Sequence, residues 1–414
     1  MDVKPHIIMR RHRSYSFTSF RRLRRLSAFR FSVLLCLVWD SLHAVSLCLN
    51  QQVALDAPPP PQNTKRIYIA AQHWNTARVL RSHWNAALHA LVQELGIDNV
   101  FVSIYESGSY DDTKDALREL DSTLEKSQVK RSIILSDISH ADEMTRQPAD
   151  HGWIKTPNGE TELRRIPFLS SIRNRIFEPL EALRKQGEEF DTILFLNDVV
   201  FDTEDVLKLL DTNGGEYAAA CSLDFSKPPA FYDTFALRDS TGHEAVMPTW
   251  PYFQSRVSRH ALERGLPVPV TSCWNGMVAM PVDPFLSENP LRFRGLPDSL
   301  AASHLEASEC CLIHADNPLS TSRPILLNPN VKVGYNRSAY DAVHSKDAIM
   351  SPFQIYRAMW ENRMRRWLSM SWLRDANIQK SITAWTKVTG ESERGGFCAI
   401  NEMQIIMERG WKHV

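Results

Sequence analysis

Along the middle of the chain, hydrophobic positions recur with two different periods. Residues 66–71 (Arg-Ile-Tyr-Ile-Ala-Ala) form a short apolar run that predicts a strand. Residues 77–95 carry Leu80, Trp84, Leu88, Leu91 and Leu95 at helical spacing and stop at Gly96, which predicts a helix. Residues 99–105 predict a second strand, and 111–126 an acid-led helix that repeats Leu117, Leu120 and Leu124. A third strand is expected at 133–135, followed by a long polar loop from 136 to 165. The pattern resumes with a helix over 167–186, a strand over 191–196, a helix over 203–210 and a strand over 217–223. Such alternation predicts an α/β fold, a Rossmann-like, mostly parallel sheet with helices on both faces. Ligands of such sheets bind at the carboxyl ends of the strands. Residues 353–373, rich in Trp, Met and Arg, predict an amphipathic helix packed on the body rather than on a membrane.

The first 65 residues do not follow this rhythm. Residues 1–30 hold nine Lys/Arg and one acid, a charge of +8, so in a chain of zero net charge the remaining 384 residues carry −8. A mildly acidic body is not the basic face that nucleic-acid binding requires, so no nucleic-acid partner is expected. Residues 31–49 are apolar for about the length of a membrane span, with Asp40 and His43 inside it. They read as a signal anchor, or as a cleaved signal peptide whose apolar region is 31–39. Both readings leave the basic tail in the cytosol and the body in the lumen, a single-pass type II membrane protein of the secretory pathway, with the Golgi as its expected station. Residues 50–65 include four consecutive prolines (58–61) and read as a stem. The body then runs over 66–345, divided at 223/224 into a nucleotide-sugar half and an acceptor half, with a helical extension over 346–414. Asn336-Arg-Ser338 is a glycosylation sequon that is meaningful in a luminal body. Five of the seven cysteines lie in the body (Cys221, Cys273, Cys310, Cys311, Cys398), an odd number that leaves their pairing open.

The sharpest local feature is Ile-Leu-Phe-Leu-Asn197-Asp198, an apolar strand with an amide and a carboxylate at its carboxyl end. Oxygen ligands there suit a hard divalent cation, Mn²⁺ or Mg²⁺, bridging a diphosphate. The plainer reading makes Asp198 a turn cap. Arg173 and Asn174 lie one helix earlier, where an arginine can meet phosphate oxygens with two bonds at once. Glu106 follows the second strand and can accept from ribose hydroxyls or a guanine edge, or else is a loop acid before a helix cap. In Ser-Cys-Trp274-Asn275-Gly276, an aromatic face and an amide suit a sugar acceptor, or else form a turn around a core tryptophan. Glu309, His314 and Asp316 bracket a short apolar segment. The acids are candidates to orient an acceptor hydroxyl or to stabilise charge at the anomeric carbon, and His314 is a candidate metal ligand.

Several segments in fixed order carry a resemblance: 99–109 (Asn-Val-Phe-Val-Ser-Ile-Tyr-Glu-Ser-Gly-Ser), Ile172-Arg-Asn174 with Glu178-Pro-Leu180, and Phe195-Leu-Asn-Asp-Val199. They continue with residues 231–239, Cys273-Trp-Asn-Gly276, Leu291-Arg-Phe-Arg294, Ser308-Glu-Cys310 and Asn328-Pro329. Together these resemble the fungal α-1,3-mannosyltransferases associated with capsule polysaccharides, glycosyltransferase family 69, over roughly residues 66–340. The resemblance implies a GT-A-like fold, a GDP-mannose donor, a divalent metal and a mannose-containing glycan acceptor. It places Asp198 where a DxD motif has its metal-binding carboxylate, with Leu196 in place of the first acid, and puts Arg173 and Asn174 in the donor-binding stretch. Retaining transfer in α-1,3 linkage is the activity implied. The alternatives are a transferase for another sugar nucleotide and a non-catalytic factor in glycan assembly or export.

Overall fold

The computed structural model describes residues 17–55, 65–156, 158–369 and 371–414. The start of the basic tail and the four prolines lie outside the described residues. Helix α1 (Phe17–Leu55) contains the apolar stretch Ala28–Leu49, long enough to cross a membrane. It carries on into the expected stem.

The body is built on one ten-stranded sheet. Its strands are β1 (Ile67–His73), β2 (Val100–Glu106), β3 (Arg131–Leu135), β4 (Thr192–Leu196), β5 (Ala219–Lys227), β6 (Ala230–Phe231), β7 (Arg238–Asp239), β8 (Val268–Ser272), β9 (Met277–Pro281) and β10 (Ile325–Gly334). The order across the sheet is β3-β2-β1-β4-β9-β5-β10-β8-β7, with β6 paired to β5. The pairings β3/β2, β2/β1, β1/β4 and β5/β10 are parallel, whereas β9 enters antiparallel between β4 and β5, and β8 between β10 and β7. Seven of the ten strands therefore run one way and three the other, β6, β8 and β9. The sheet is mostly parallel and mixed at one side. The 223/224 division falls inside β5, so the two expected halves share this sheet.

Strand alternation sorts the helices onto the two faces. Ile67, Ile69 and Ala71 of β1 pack in one core with α2 (Asn85–Leu95), α3 (Thr113–Lys126) and α6 (Thr203–Leu210). Tyr68 and Ala70 face the other core, under α4 (Arg165–Arg175) and α5 (Glu178–Lys185).

The helix expected over 167–186 is two helices, α4 and α5. Pro179 has no N–H to give to the Arg175 carbonyl, and the Ile176 carbonyl accepts instead from Tyr68 Oη at 2.6 Å and Ser103 Oγ at 2.9 Å. The expected loop over 136–165 is also structured. It holds a short helix, His140–Met144, begun by a reciprocal Ser139/Asp142 capping box, and a hairpin of Trp153–Lys155 with Thr161–Leu163. Further on lie α7 (Arg256–Glu263), α8 (Glu309–Asp316), α9 (Arg337–His344), α10 (Pro352–Leu368) and α11 (Ser371–Thr389).

Two disulfides link the body thiols, Cys221–Cys273 and Cys311–Cys398, leaving Cys310 as a buried free thiol. The second ties the C-terminal extension to α8. The extension is further held by Arg294, which pairs with both Asp316 and Glu393.

Candidate active site

The carboxyl ends of β1, β2, β4 and β5 converge with the amino end of α8. Asp198 sits in a tight turn just after β4. That turn is fixed by backbone bonds: Asn197 N–H donates to the Gly276 carbonyl at 3.0 Å, and Val199 N–H to the Asn197 carbonyl at 2.9 Å. The Trp84 indole N–H also donates to the Asn197 carbonyl, at 3.0 Å. Gly276 has φ +88°, and a Cβ there would lie 2.4 Å from Val333, so only glycine allows this turn to pack against β10. Burial pushes the Asp198 carboxyl above the usual carboxylate range, opposed by its own backbone N–H and by the charge of Arg173.

Arg173, on α4, is the cation at the centre. Its Nε donates to Glu309 Oε1 at 3.0 Å. Its guanidinium lies 5.2 Å from the Trp274 ring and 5.7 Å from the Phe293 ring, within cation–π range. Burial opposes its charge, and the nearby carboxylates of Glu309 and Asp233 favour it. Its field also reaches the carboxylates of Asp198 and Asp233.

Beside it stands an acid pair, Asp224 fully buried and Asp233 half-buried. Asp224 Oδ1 accepts from Asn275 Nδ2 at 2.8 Å and from the Asp233 N–H at 3.2 Å, and its Oδ2 accepts from Tyr335 Oη at 3.2 Å. Burial, and then the charge of Asp233, push the Asp224 carboxyl up to about 7. Asp233 is raised by burial as well, although the Ala236 and Phe235 N–H groups donate to it. Four carboxylates (Asp198, Asp224, Asp233, Glu309) thus share this region with two guanidinium groups, Arg173 and Arg165. A cation among these acids, of which Asp224 and Glu309 are buried and Asp198 and Asp233 half-buried, would favour their ionised forms.

A second set of groups lines the ends of β1 and β2. Glu106 is fully buried; its Oε1 accepts from the Ser109 N–H, while its Oε2 has no partner among the described residues. Gln72 Oε1, His73 Nε2, Trp74 Nε1, Ser107 Oγ and His140 Nδ1 are buried and equally unpaired. Burial pushes the His73 imidazole down to about 3, so it is neutral and offers either a donor or an acceptor. Native proteins rarely leave so many polar atoms unsatisfied in one place. These unpaired atoms are candidate ligand contacts at the strand ends.

Asn197 and Asp198 follow β4 and Glu106 ends β2, the strand-end positions expected, whereas Arg173 lies on α4 and Glu309 opens α8, the two bonded to each other. Other candidates are placed differently. Asn174 spends its side chain on the Phe293 backbone, Nδ2 to the carbonyl at 2.8 Å and Oδ1 from the N–H at 2.9 Å, so it clamps Phe293 beneath Arg173 rather than facing a donor. Trp274 is walled in by Phe195, Phe293 and Arg173 and presents no free face to an acceptor sugar. Asn275 is fully buried and holds Asp224 and the Asp233 carbonyl. Asp316 is locked to Arg294 at 2.6 and 3.0 Å, a structural tie to the C-terminal extension rather than a catalytic acid.

His314 also departs from expectation as a metal ligand. Its ring lies with Cys221 and Cys273, but those sulfurs are joined to each other and hold no thiolate for a cation. Its Nε2 meets the Cys273 carbonyl at 2.7 Å, and burial pushes it down to about 4 with no carboxylate contributing. Asn336 is exposed and caps α9 through Oδ1, accepting from the Ala339 N–H at 2.8 Å, so its amide nitrogen lies at the surface.

Asp224 and Tyr335 were not singled out in the sequence. Asp224 follows the apolar run of β5 just as Asp198 follows β4, so the same signal was present there. Tyr335 has no local signal; only the pairing of β10 with β5 brings it to Asp224.

Among solved structures, 64 chains match. A mannosyltransferase of Pyrobaculum calidifontis, PcManGT, in complex with GDP-Man and Mn²⁺ is 13% identical, with 85% of this chain and 88% of that one covered and a TM-score of 0.38. Residues 1–349 of S. aureus TarS in complex with UDP are 10% identical, covering 65% and 60%, with a TM-score of 0.35. No curated protein sequence matches the chain. Residues 66–316 match the family described as Cryptococcal mannosyltransferase 1, a stretch that starts with β1 and ends with α8, short of the 340 expected from the motifs. That match takes in more than half of the chain and every acid and arginine of the site: the protein belongs to this mannosyltransferase family and carries its hexosyltransferase domain.

Proposed function

We propose that the protein transfers mannose from GDP-mannose to a mannose-containing glycan, forming an α-1,3 bond with retention at the anomeric carbon. The observation that carries this reading is the position of Arg173 among Asp198, Asp233 and Glu309, next to the unpaired polar atoms at the ends of β1 and β2. On this reading Glu106 and Ser107 meet ribose hydroxyls. Arg173 meets the diphosphate. The donor set also fits a divalent cation, because Asp198 is a half-buried strand-end carboxylate with only one opposing charge acting on it, that of Arg173. Mn²⁺ or Mg²⁺ held by Asp198 supplies neutralisation of the diphosphate as it leaves.

The residues favour attack from the same face as the leaving group. A double displacement needs a free carboxylate beneath the sugar, and Glu309, the candidate for that role, is buried and bonded to Arg173. On this reading Glu309 positions Arg173, and the departing diphosphate takes the acceptor's proton. Two disulfides support an oxidising compartment. With α1 as signal anchor, this gives a type II protein of the secretory pathway, glycosylated at Asn336.

The binding test is calorimetric titration of the purified protein with GDP, with and without Mn²⁺. The expected outcome is tight binding only with Mn²⁺, lost in Asp198→Ala while the circular dichroism spectrum is unchanged. Equal affinity of wild type and Asp198→Ala for GDP with Mn²⁺ would refute the cation assignment.

A further inference from the structure

Tyr232 stands 58% exposed. A single exposed tyrosine needs no explanation by itself, but this one is held in place beside the acids of the site. Its N–H donates to the Asp224 carbonyl at 2.9 Å, and its own carbonyl accepts from the Thr234 N–H at 3.0 Å. Its ring meets that of Tyr335 with 4.6 Å between centroids, the two planes inclined by 56°. Tyr335 is anchored in turn: its N–H donates to the Phe225 carbonyl at 2.9 Å and its hydroxyl to Asp224 Oδ2 at 3.2 Å. That hydroxyl also lies in the field of Asp198 and Asp233. Asp233, the next residue after Tyr232, is half-buried. Its Oδ1 takes the Phe235 and Ala236 N–H groups, and its Oδ2 makes no hydrogen bond among the described residues.

The strand order decides which part of a ligand reaches these rings. β4, which leads into Asp198, lies two strand spacings, about 10 Å, from β2 on one side and from β5 on the other. Glu106 ends β2, Asp224 lies on β5, and Tyr335 follows directly after β10, the parallel neighbour of β5. A sugar nucleotide with its ribose at Glu106 and its diphosphate at Asp198 and Arg173 therefore directs its sugar toward β5, and the acceptor has to arrive from beyond it. Burial agrees with this direction. Glu106, Ser107 and His73 are buried at the β1/β2 end, whereas Asp233 and Tyr335 are half-buried and Tyr232 opens to solvent. A glycan of several sugars must run out into water, so its site has to lie at the open end.

We propose that Tyr232, braced by Tyr335, is the platform on which the acceptor pyranose stacks, with Asp233 Oδ2 taking a hydrogen bond from one of its hydroxyls. The inference rests on the donor reading given above. A pyranose suits such a platform because one face is a patch of C–H groups that packs on an aromatic ring, while its equatorial hydroxyls project from the edge. A sugar lying on Tyr232 keeps those edge hydroxyls free to face the acids and the anomeric carbon of the donor. A nucleobase also stacks on tyrosine, but the same strand order puts the nucleoside at β2, four strand spacings from β5.

The test uses purified full-length wild type, Tyr232→Ala and Tyr232→Trp. Saturation-transfer nuclear magnetic resonance measures binding of an α-linked mannobiose, and calorimetry measures binding of GDP with Mn²⁺. The expected result is mannobiose affinity about tenfold weaker in Tyr232→Ala and restored in Tyr232→Trp, with GDP affinity and thermal midpoint the same in all three. Rescue by the second aromatic separates stacking from a merely structural role. Equal mannobiose affinity in wild type and Tyr232→Ala overturns the inference, as does a wild type that binds no mannobiose. Weakened GDP binding in Tyr232→Ala overturns it too, by giving the ring to the nucleotide. A wild type that holds mannobiose through Tyr232 but binds no GDP refutes the donor reading and leaves the sugar platform standing.

Discussion

Asp224→Asn isolates the energetic cost built into the Asp224–Asp233 acid pair. Asp224 is fully buried, and burial together with Asp233 carries its carboxyl from the ordinary 3.8 up to about 7. A folded-state value above the unfolded one means that the native state binds the proton more tightly. Stability from this group is therefore complete below about pH 4 and is lost as pH rises toward 7. Three pH units at about 1.36 kcal/mol each set a ceiling of about 4 kcal/mol on that loss. Asparagine keeps the shape and the acceptor that takes Asn275 Nδ2 and the Asp233 N–H, and its own amide can donate to Tyr335 Oη. It removes both the buried charge and the repulsion with Asp233. With allowance for relaxation around the pair, Asp224→Asn is expected to stabilise the metal-free protein by about 1–3 kcal/mol at pH 8. At pH 4 the change should be close to zero. Urea unfolding in EDTA at the two pH values reads this directly. A variant less stable than wild type at pH 8, or one that gains equally at pH 4, would refute the reasoning.

Other consequences follow from particular contacts. Arg164 is fully buried and holds Glu306 through Nε and Nη2 at 2.7–3.2 Å, with Asp298 on Nη1. Arg164→Met leaves Glu306 as an uncompensated buried charge, and chemical denaturation should show a loss of about 3–5 kcal/mol. Cys311→Ser opens the 87-residue loop to Cys398, with an expected loss of about 2–4 kcal/mol. Limited proteolysis of that variant should cut first in the C-terminal extension, and a pattern identical to wild type would contradict this.

Much of the body was legible because its strands and helices are buried by alternation and by period, which are properties of the sequence itself. The run from Ile193 to Leu196 announces a strand, which β4 matches, and sets Asn197 and Asp198 at its carboxyl end as candidates. The break between α4 and α5 was hidden because it depends partly on Tyr68 and Ser103, distant in sequence, competing for the Ile176 carbonyl. Trp274 and Asn275 were readable as residue types suited to a sugar. Their actual partners, Arg173 and Asp224, come from other elements, so their burial as supports could not be read locally. His314 shows the same limit, since the sulfurs beside it are joined to each other only in the folded chain. The tryptophans at 367 and 372 stood out in the sequence as part of a helix packed on the body. The single helix expected over 353–373 is two, α10 and α11, and the packing of α10 against α1 and the exposure of both tryptophans came only with the fold.

The central claim, that Asp198 and Arg173 hold the diphosphate of a mannosyl donor, is tested most directly by turnover. Purified full-length protein is incubated with Mn²⁺, an α-linked mannobiose and, in parallel, radiolabelled GDP-mannose, GDP-fucose and UDP-xylose. The account predicts a labelled trisaccharide from GDP-mannose alone, α-1,3-linked by nuclear magnetic resonance, and abolished both by EDTA and in Asp198→Ala. Undiminished transfer by Asp198→Ala, or transfer from another sugar nucleotide but not from GDP-mannose, would contradict it.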